Sequence, residues 1–238
     1  MKKTTFLLVY IFLMLANVQA QETIDKNIKK GLELYDAEKY KEAEEVFESS
    51  LKEDPDNIDV LFFLANSQLA QFESAKAVKN YDKVIEIDGR HIDAIFNRSN
   101  ANYELGKYNK SIDDLDRVIE LDSIYTDAYS LRGSALFNLE KYDQALTNFN
   151  KTIALDSTSA SNYYDRGNCR FMLEQFVLAK DDFTKAIILN PDESDYYFNR
   201  ALTNFYLELN TDACQDLEKA ASMGDEEAED FLNELCTD

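Results

Sequence analysis

The chain has 238 residues, with 46 acidic against 25 basic side chains, a net charge of −21, one histidine and three cysteines. A charge that negative repels phosphate backbones and anionic lipid surfaces, which argues against a nucleic-acid partner and favours basic ones. With 45% hydrophobic residues, two prolines and six glycines, the chain is too apolar for a disordered acidic tail and has no linker tract. One elongated, mostly helical domain fits.

The first twenty residues stand apart. Lys2 and Lys3 precede an apolar run from Phe6 to Ala16, and Val18 and Ala20 occupy the positions a signal peptidase reads. Cleavage after Ala20 would leave Gln21 as the mature terminus. The run is too short for a bilayer core that needs about 20 residues, and an uncleaved anchor is the competing reading. No cysteine precedes Cys169, which excludes a lipid-modified cysteine at that junction. Residues 1–20 are expected to be a secretory signal, and the mature protein soluble, periplasmic or extracellular, with no stable membrane insertion. Without Lys2 and Lys3, 23 basic side chains would face 46 acidic ones, a net charge of −23.

From there the chain repeats. Ala43, Ala77, Ser111, Ala145, Ala179 and Ala213 fall at an interval of 34 residues, without insertion or deletion. Four residues after each comes a large apolar or aromatic side chain: Phe47, Tyr81, Leu115, Phe149, Phe183 and Leu217. Such a period means that one supersecondary unit stacks on copies of itself, because a single unit cannot bury its own apolar face. Two helices are predicted per unit. In the fifth, Tyr163, Gly167 and Phe171 mark the first and Ala179, Phe183 and Ala186 the second, with a turn near Glu174-Gln175. Asn190-Pro191 closes that unit, where proline cannot continue a helix. Asp54-Pro55, Asp88-Gly89, Asp122-Ser123 and Asp156-Ser157 close the others.

The stretches Tyr163 to Pro191 and Gly31 to Pro55 resemble the consensus of the tetratricopeptide-repeat (TPR) family. The resemblance covers nearly the whole mature chain and places six units at 24–57, 58–91, 92–125, 126–159, 160–193 and 194–227. It implies an all-α solenoid, a right-handed superhelix of helix-turn-helix repeats. The family glycine at the eighth position of each unit is Gly31, Gly133 and Gly167 here, but Ala65, Ser99 and Ala201 elsewhere. The short lysine signal and the ending Ala213 to Asp225 resemble exported TPR proteins of Bacteroidota type.

After the sixth unit, residues 225–236 read as a capping helix with Ala228, Phe231, Leu232 and Leu235 on its apolar side and acids in its first turn. Cys214 and Cys236 lie about equally far from the Gly224-Asp225 turn, so a disulfide is geometrically available in an oxidising compartment; two buried thiols are the alternative. Cys169 reads as a core filler.

The family resemblance implies that first-helix positions two, five, nine and twelve look into a concave groove. An aromatic row is expected from Phe62, Phe96, Tyr164 and Phe198, joined by Tyr103, Phe137, Phe171 and Phe205, and an amide row from Asn66, Asn100 and Asn168. Amides can pair with the main chain of an extended peptide, and aromatic faces attract cations. An acidic row, Asp25, Asp59, Asp93, Asp127 and Asp195, reads as a groove rim or as helix caps. The expected guest is a protein or peptide segment with basic side chains. The lysine and arginine clamp of chaperone-binding TPR domains is missing: position six holds Phe63, Asn97, Leu131, Asp165 and Asn199.

A further column is expected to be structural. Arg98, Arg132, Arg166 and Arg200 at position seven accompany Asp114, Asn148, Asp182 and Asp216 at position 23 of the same units. An anion-binding arginine ladder is the alternative. His91 reads as a loop residue, and no phosphate loop, metal-ligand cluster, cofactor motif or activated nucleophile stands out. The expected protein is a non-enzymatic adaptor that binds a protein segment in its groove and helps assemble an envelope complex. A receptor for a carbohydrate or other small ligand and a self-associating spacer are the alternatives.

Overall fold

The computed structural model describes residues 22–236, so the expected signal segment 1–20 lies outside them. Thirteen helices and no strand occur among the described residues. They are α1 (22–36), α2 (Tyr40–Ser50), α3 (Ile58–Ala70), α4 (Ser74–Ile87), α5 (Ile92–Glu104), α6 (Tyr108–Leu121) and α7 (Thr126–Asn138). The series continues with α8 (Tyr142–Leu155), α9 (Ala160–Met172), α10 (Phe176–Leu189), α11 (Ser194–Tyr206), α12 (Asn210–Ser222) and α13 (Glu226–Leu235). The fold is all-α. Successive pairs from α1–α2 to α11–α12 follow the 34-residue interval, one pair to each repeat.

The chain divides into two compact units, one reaching Arg117 and one starting at Val118, a boundary that falls within α6. The first holds α1 to α5 and most of α6. In its core Phe47 and Ala43 of α2 pack with Ile24 of α1 and with Val60 and Leu64 of α3. The second holds α7 to α13. Its last core cluster joins Tyr197 and Ala201 of α11 to Leu217 and Ala220 of α12 and Ala228 of α13.

The small residues of the 34-residue series are all fully buried, and so, to within 1%, are the large ones four residues later. Burying one such side chain contributes on the order of 2 kcal/mol, and the pattern delivers it once per repeat. The turns inside the repeats share one construction. Position fifteen is left-handed in all six, at Glu38, Phe72, Gly106, Glu140, Glu174 and Glu208. The following N–H then reaches back five residues, as in Lys39 to Leu34 (2.9 Å) and Gln175 to Arg170 (2.8 Å). That is the Schellman closure, which satisfies carbonyls a helix end would leave unpaired. Between repeats, Asp88, Asp122, Asp156 and Asn190 accept from the N–H two residues on, at 2.8–3.2 Å. Those turns explain the polar residues that end the second to fifth units.

Asp225 caps α13 by accepting from Ala228 N–H at 2.9 Å. Phe231 and Leu232 pack on the last core cluster, while Leu235 is half exposed, so the apolar face is shorter than the sequence suggests. Cys214 of α12 is bonded to Cys236, with the Cα atoms 5.8 Å apart. Cys169 is buried and free, and burial pushes its thiol up to about 12.

Candidate partner-binding face

The first helices α1, α3 and α5 in one unit and α7, α9 and α11 in the other carry the rows singled out above. The amide row is partly used within the protein. Asn66 Oδ1 accepts from the Tyr81 hydroxyl at 2.6 Å and from Asn97 at 2.9 Å. Asn168 Oδ1 accepts from Asn199 at 3.2 Å, and the same Asn199 amide donates to the Tyr164 hydroxyl at 2.8 Å. The Tyr81 bond closes one hairpin, while those from Asn97 and Asn199 link neighbouring first helices, so the two asparagines hold repeats in register. Asn100, half-buried on α5, makes no side-chain hydrogen bond among the described residues.

The aromatic rows are likewise shared between packing and surface. Tyr103, Phe137 and Phe171 each meet an aromatic ring at position seventeen of their own hairpin, Tyr108, Tyr142 and Phe176, edge-to-face at 5.2–5.5 Å. Tyr35 and Tyr40 make the same pair in the first repeat. Phe62 packs on Phe63 and on the ring of His91, the latter at 4.9 Å. Tyr164 lies 4.9 Å from Tyr196, and Phe198 meets Phe231 of α13. Phe96 and Phe205 are half-buried on α5 and α11. Such pairs favour tilted and edge-on geometry because the ring faces are electron-rich and the edges are not.

Asp165 of α9 stands in the sequence only at a position without a clamp arginine, yet its surroundings single it out. It is partly buried beside Tyr164, and it has no hydrogen bond or ion pair among the described residues. Burial alone pushes its carboxyl up to about 6. The titratable groups that interact with it are Tyr164 and Cys169 on its own helix and Tyr196 on α11. A carboxylate kept from water without a donor would gain from a nearby cation.

The acidic row sits elsewhere than at caps. Asp59, Asp93, Asp127 and Asp195 lie exposed in the first turns of their helices, where they complement the dipole. In α3 and α5 the cap lies two residues before the aspartate: Asn57 accepts from Val60 N–H, and His91 Nδ1 accepts from Ala94 N–H at 3.2 Å. His91 is therefore a half-buried cap packed on Phe62, not a plain loop residue, because an imidazole nitrogen can stand in for the usual oxygen.

The arginine column is built into the hairpins. Arg98, Arg166 and Arg200 each clamp the aspartate sixteen residues on with two bonds, at 2.5–2.9 Å. Arg132 meets Asn148 at 2.8 Å. The third side of these guanidiniums reaches the preceding repeat: Asp82 from Arg98, Asn150 from Arg166 and Thr184 from Arg200. In the unit starting at Val118, Tyr129, Tyr163 and Tyr197 each have an arginine and a lysine over the ring at 5.5–6.0 Å. The sequence reading missed this column. Its signal was available, as tyrosine at position four recurs with lysine at position 26 in the last three repeats.

No group of three or more metal-capable side chains occurs among the described residues, and no helix there is long and apolar enough to cross a membrane. The hairpins, their small-residue contacts and their period define a helical repeat protein of the scaffold type. Tetratricopeptide-repeat models match residues 34–94 and 96–160, together more than half of the chain, which belongs to the tetratricopeptide-repeat family. Solved structures agree on the fold. PilF of Pseudomonas aeruginosa superposes with a TM-score of 0.75 at 18% identity, over 91% of this chain and 99% of that one. MamA of Desulfovibrio magneticus RS-1 gives 0.68 at 18% identity, covering 70% of this chain and 94% of its own. YrrB, described as a TPR protein with an unusual peptide-binding site, gives 0.63 at 21% identity, over 74% of this chain and 91% of that one. No curated protein sequence matches the chain.

Proposed function

We propose that this protein is a non-catalytic adaptor that holds a basic segment of a partner protein against the first helices of its repeats. TPR proteins bind protein or peptide partners, and YrrB offers a peptide-binding example on this fold. The observation that carries the reading is Asp165: a partly buried carboxylate without a donor, next to Tyr164 on a first helix, which a cationic side chain of a partner would complement. Asn100 supports it with an amide that is not spent on neighbouring repeats. The net charge of −21 steers basic segments toward the chain and nucleic acid away. The location we propose is outside the cytoplasm, following removal of residues 1–20, in the assembly of an envelope complex.

Titration with a lysine-containing extended peptide and its norleucine counterpart tests the reading. The lysine peptide should bind more tightly, and Asp165→Asn should remove the difference. Equal binding of both peptides by the unaltered protein contradicts it. N-terminal sequencing of secreted or periplasmic material tests export; a mature chain that still begins at Met1 contradicts the signal.

A further inference from the structure

The turn edge of the fifth and sixth repeats gathers several exposed apolar residues, where in the turns inside the earlier repeats Phe72 stands alone among the described residues. Met172, Val177, Leu178, Tyr206 and Leu209 are 36–63% exposed there. At the registers of Met172, Val177 and Leu178, repeats one to four carry only polar residues or alanine; in the fourth these are Asn138, Asp143 and Gln144. A cluster of rings joins the two repeats at this edge. Phe176 stacks on Tyr206 at 4.7 Å and 9°, and Phe171 meets both edge-on at 5.4–5.5 Å. Scattered exposed apolar residues are ordinary, but several gathered on the turn edge of two successive repeats around one ring cluster are what docking surfaces look like.

The rim specifies the occupant. Glu174 and Glu208 stand exposed in the two turns, and Asp181 and Asp212 lie one helical turn beyond Leu178 and Leu209. None of the four makes an ion pair among the described residues, whereas Arg170 is engaged by Asp182 at 2.7 Å. Lys180 lies in the cleft lined by Arg200 and Asp216. A second copy of the chain would bring acidic rim against acidic rim at a net charge of −21 each. We infer that this edge docks an amphipathic segment of another protein, with apolar anchors over Val177, Leu178 and Tyr206 and lysine or arginine flanking them. It is a second contact surface at the turn edge, adjoining the first-helix face proposed above through Phe171, Met172 and Tyr206.

The test uses the full chain and a helical peptide of leucine and lysine, roughly 18 residues or five turns long, with a leucine and glutamate counterpart. The triple variant M172N/V177D/L178Q gives the fifth repeat the residues of the fourth at exposed positions. Its thermal transition should match that of the unaltered protein. Fluorescence anisotropy should show the leucine-lysine peptide binding at least about tenfold more weakly to the variant, although Val177→Asp adds an attractive charge. The leucine-glutamate peptide should not bind either protein. Equal affinity of the two proteins, no binding by the unaltered one, or equal binding of both peptides overturns the inference. A dimer in sedimentation that the triple variant dissociates also overturns it, in favour of a second copy.

Discussion

A methyl group on Gly167 would stand 2.7 Å from Cε1 of Phe183, closer than carbon atoms approach. Gly31 faces Phe47 and Gly133 faces Phe149 in the same way, at 2.4 and 2.8 Å. Where the eighth position is Ala65, Ser99 or Ala201, the residue sixteen on is Tyr81, Leu115 or Leu217. Glycine thus accompanies phenylalanine, and a side chain is present where the facing residue differs. Gly167→Ala should destabilise by about 2 kcal/mol through overpacking, seen as a lower midpoint in denaturant. Adding Phe183→Leu should recover part of that loss; strictly additive losses would show that the two residues do not compete for space.

Asp182 accepts from both Arg166 and Arg170 and is buried. Asp182→Ala leaves two partly buried guanidiniums without their shared partner, and should cost about 3–5 kcal/mol. Asn148→Ala removes a neutral acceptor from one arginine and should cost about 1 kcal/mol. Thermal unfolding of both variants checks the order; an equal effect would remove the charge of Asp182 from the explanation.

Reduction of Cys214–Cys236, separated by 22 residues, should lower stability by about 3 kcal/mol in the chain-entropy account. The effect should be local. α13 has a short apolar face, so limited proteolysis under reductant should first cut within Glu226–Leu235. Cleavage that begins elsewhere, at an unchanged rate, would contradict this anchoring role.

The carboxyl of Asp165 is raised by burial to about 6, above its ordinary value of 3.8. The folded protein then holds the proton more tightly than the unfolded chain, so this group's stabilisation is complete below pH of about 4 and is lost as pH rises through about 6. Asp165→Asn should therefore stabilise the protein at neutral pH by on the order of 2 kcal/mol, and flatten its stability between those values. Binding of a lysine peptide should tighten over the same interval in the unaltered protein only. Parallel stability curves for the two proteins would place the titration elsewhere.

The fold was legible because the 34-residue interval and its small-large pairs report packing inside one hairpin, where partners lie sixteen residues apart at a fixed offset. The pairing of Arg98 with Asp114, Arg166 with Asp182 and Arg200 with Asp216 was legible for the same reason. Contacts between consecutive hairpins were not. Asn66 with Asn97, and Asn168 with Asn199, meet because neighbouring first helices lie side by side, and composition does not distinguish an amide facing a guest from one facing a neighbour. The rings at position twelve were legible as a row, but their pairing with those at position seventeen was not, because a left-handed turn, here usually glutamate and not glycine, brings them together. Asp165 gave no sign in sequence, since its importance lies in what fails to surround it.

The most direct test of the adaptor reading is site-specific photo-crosslinking in the cell that makes the protein. A photoreactive residue replaces Asn100, on the first-helix face, or Asp113, exposed on α6 beside the cleft formed with Arg98 and Lys110. One discrete protein adduct from position 100, lost when Tyr103→Ala is added, and none from position 113 is the result expected. Adducts from position 113 alone, or the same adducts from both positions, would contradict it.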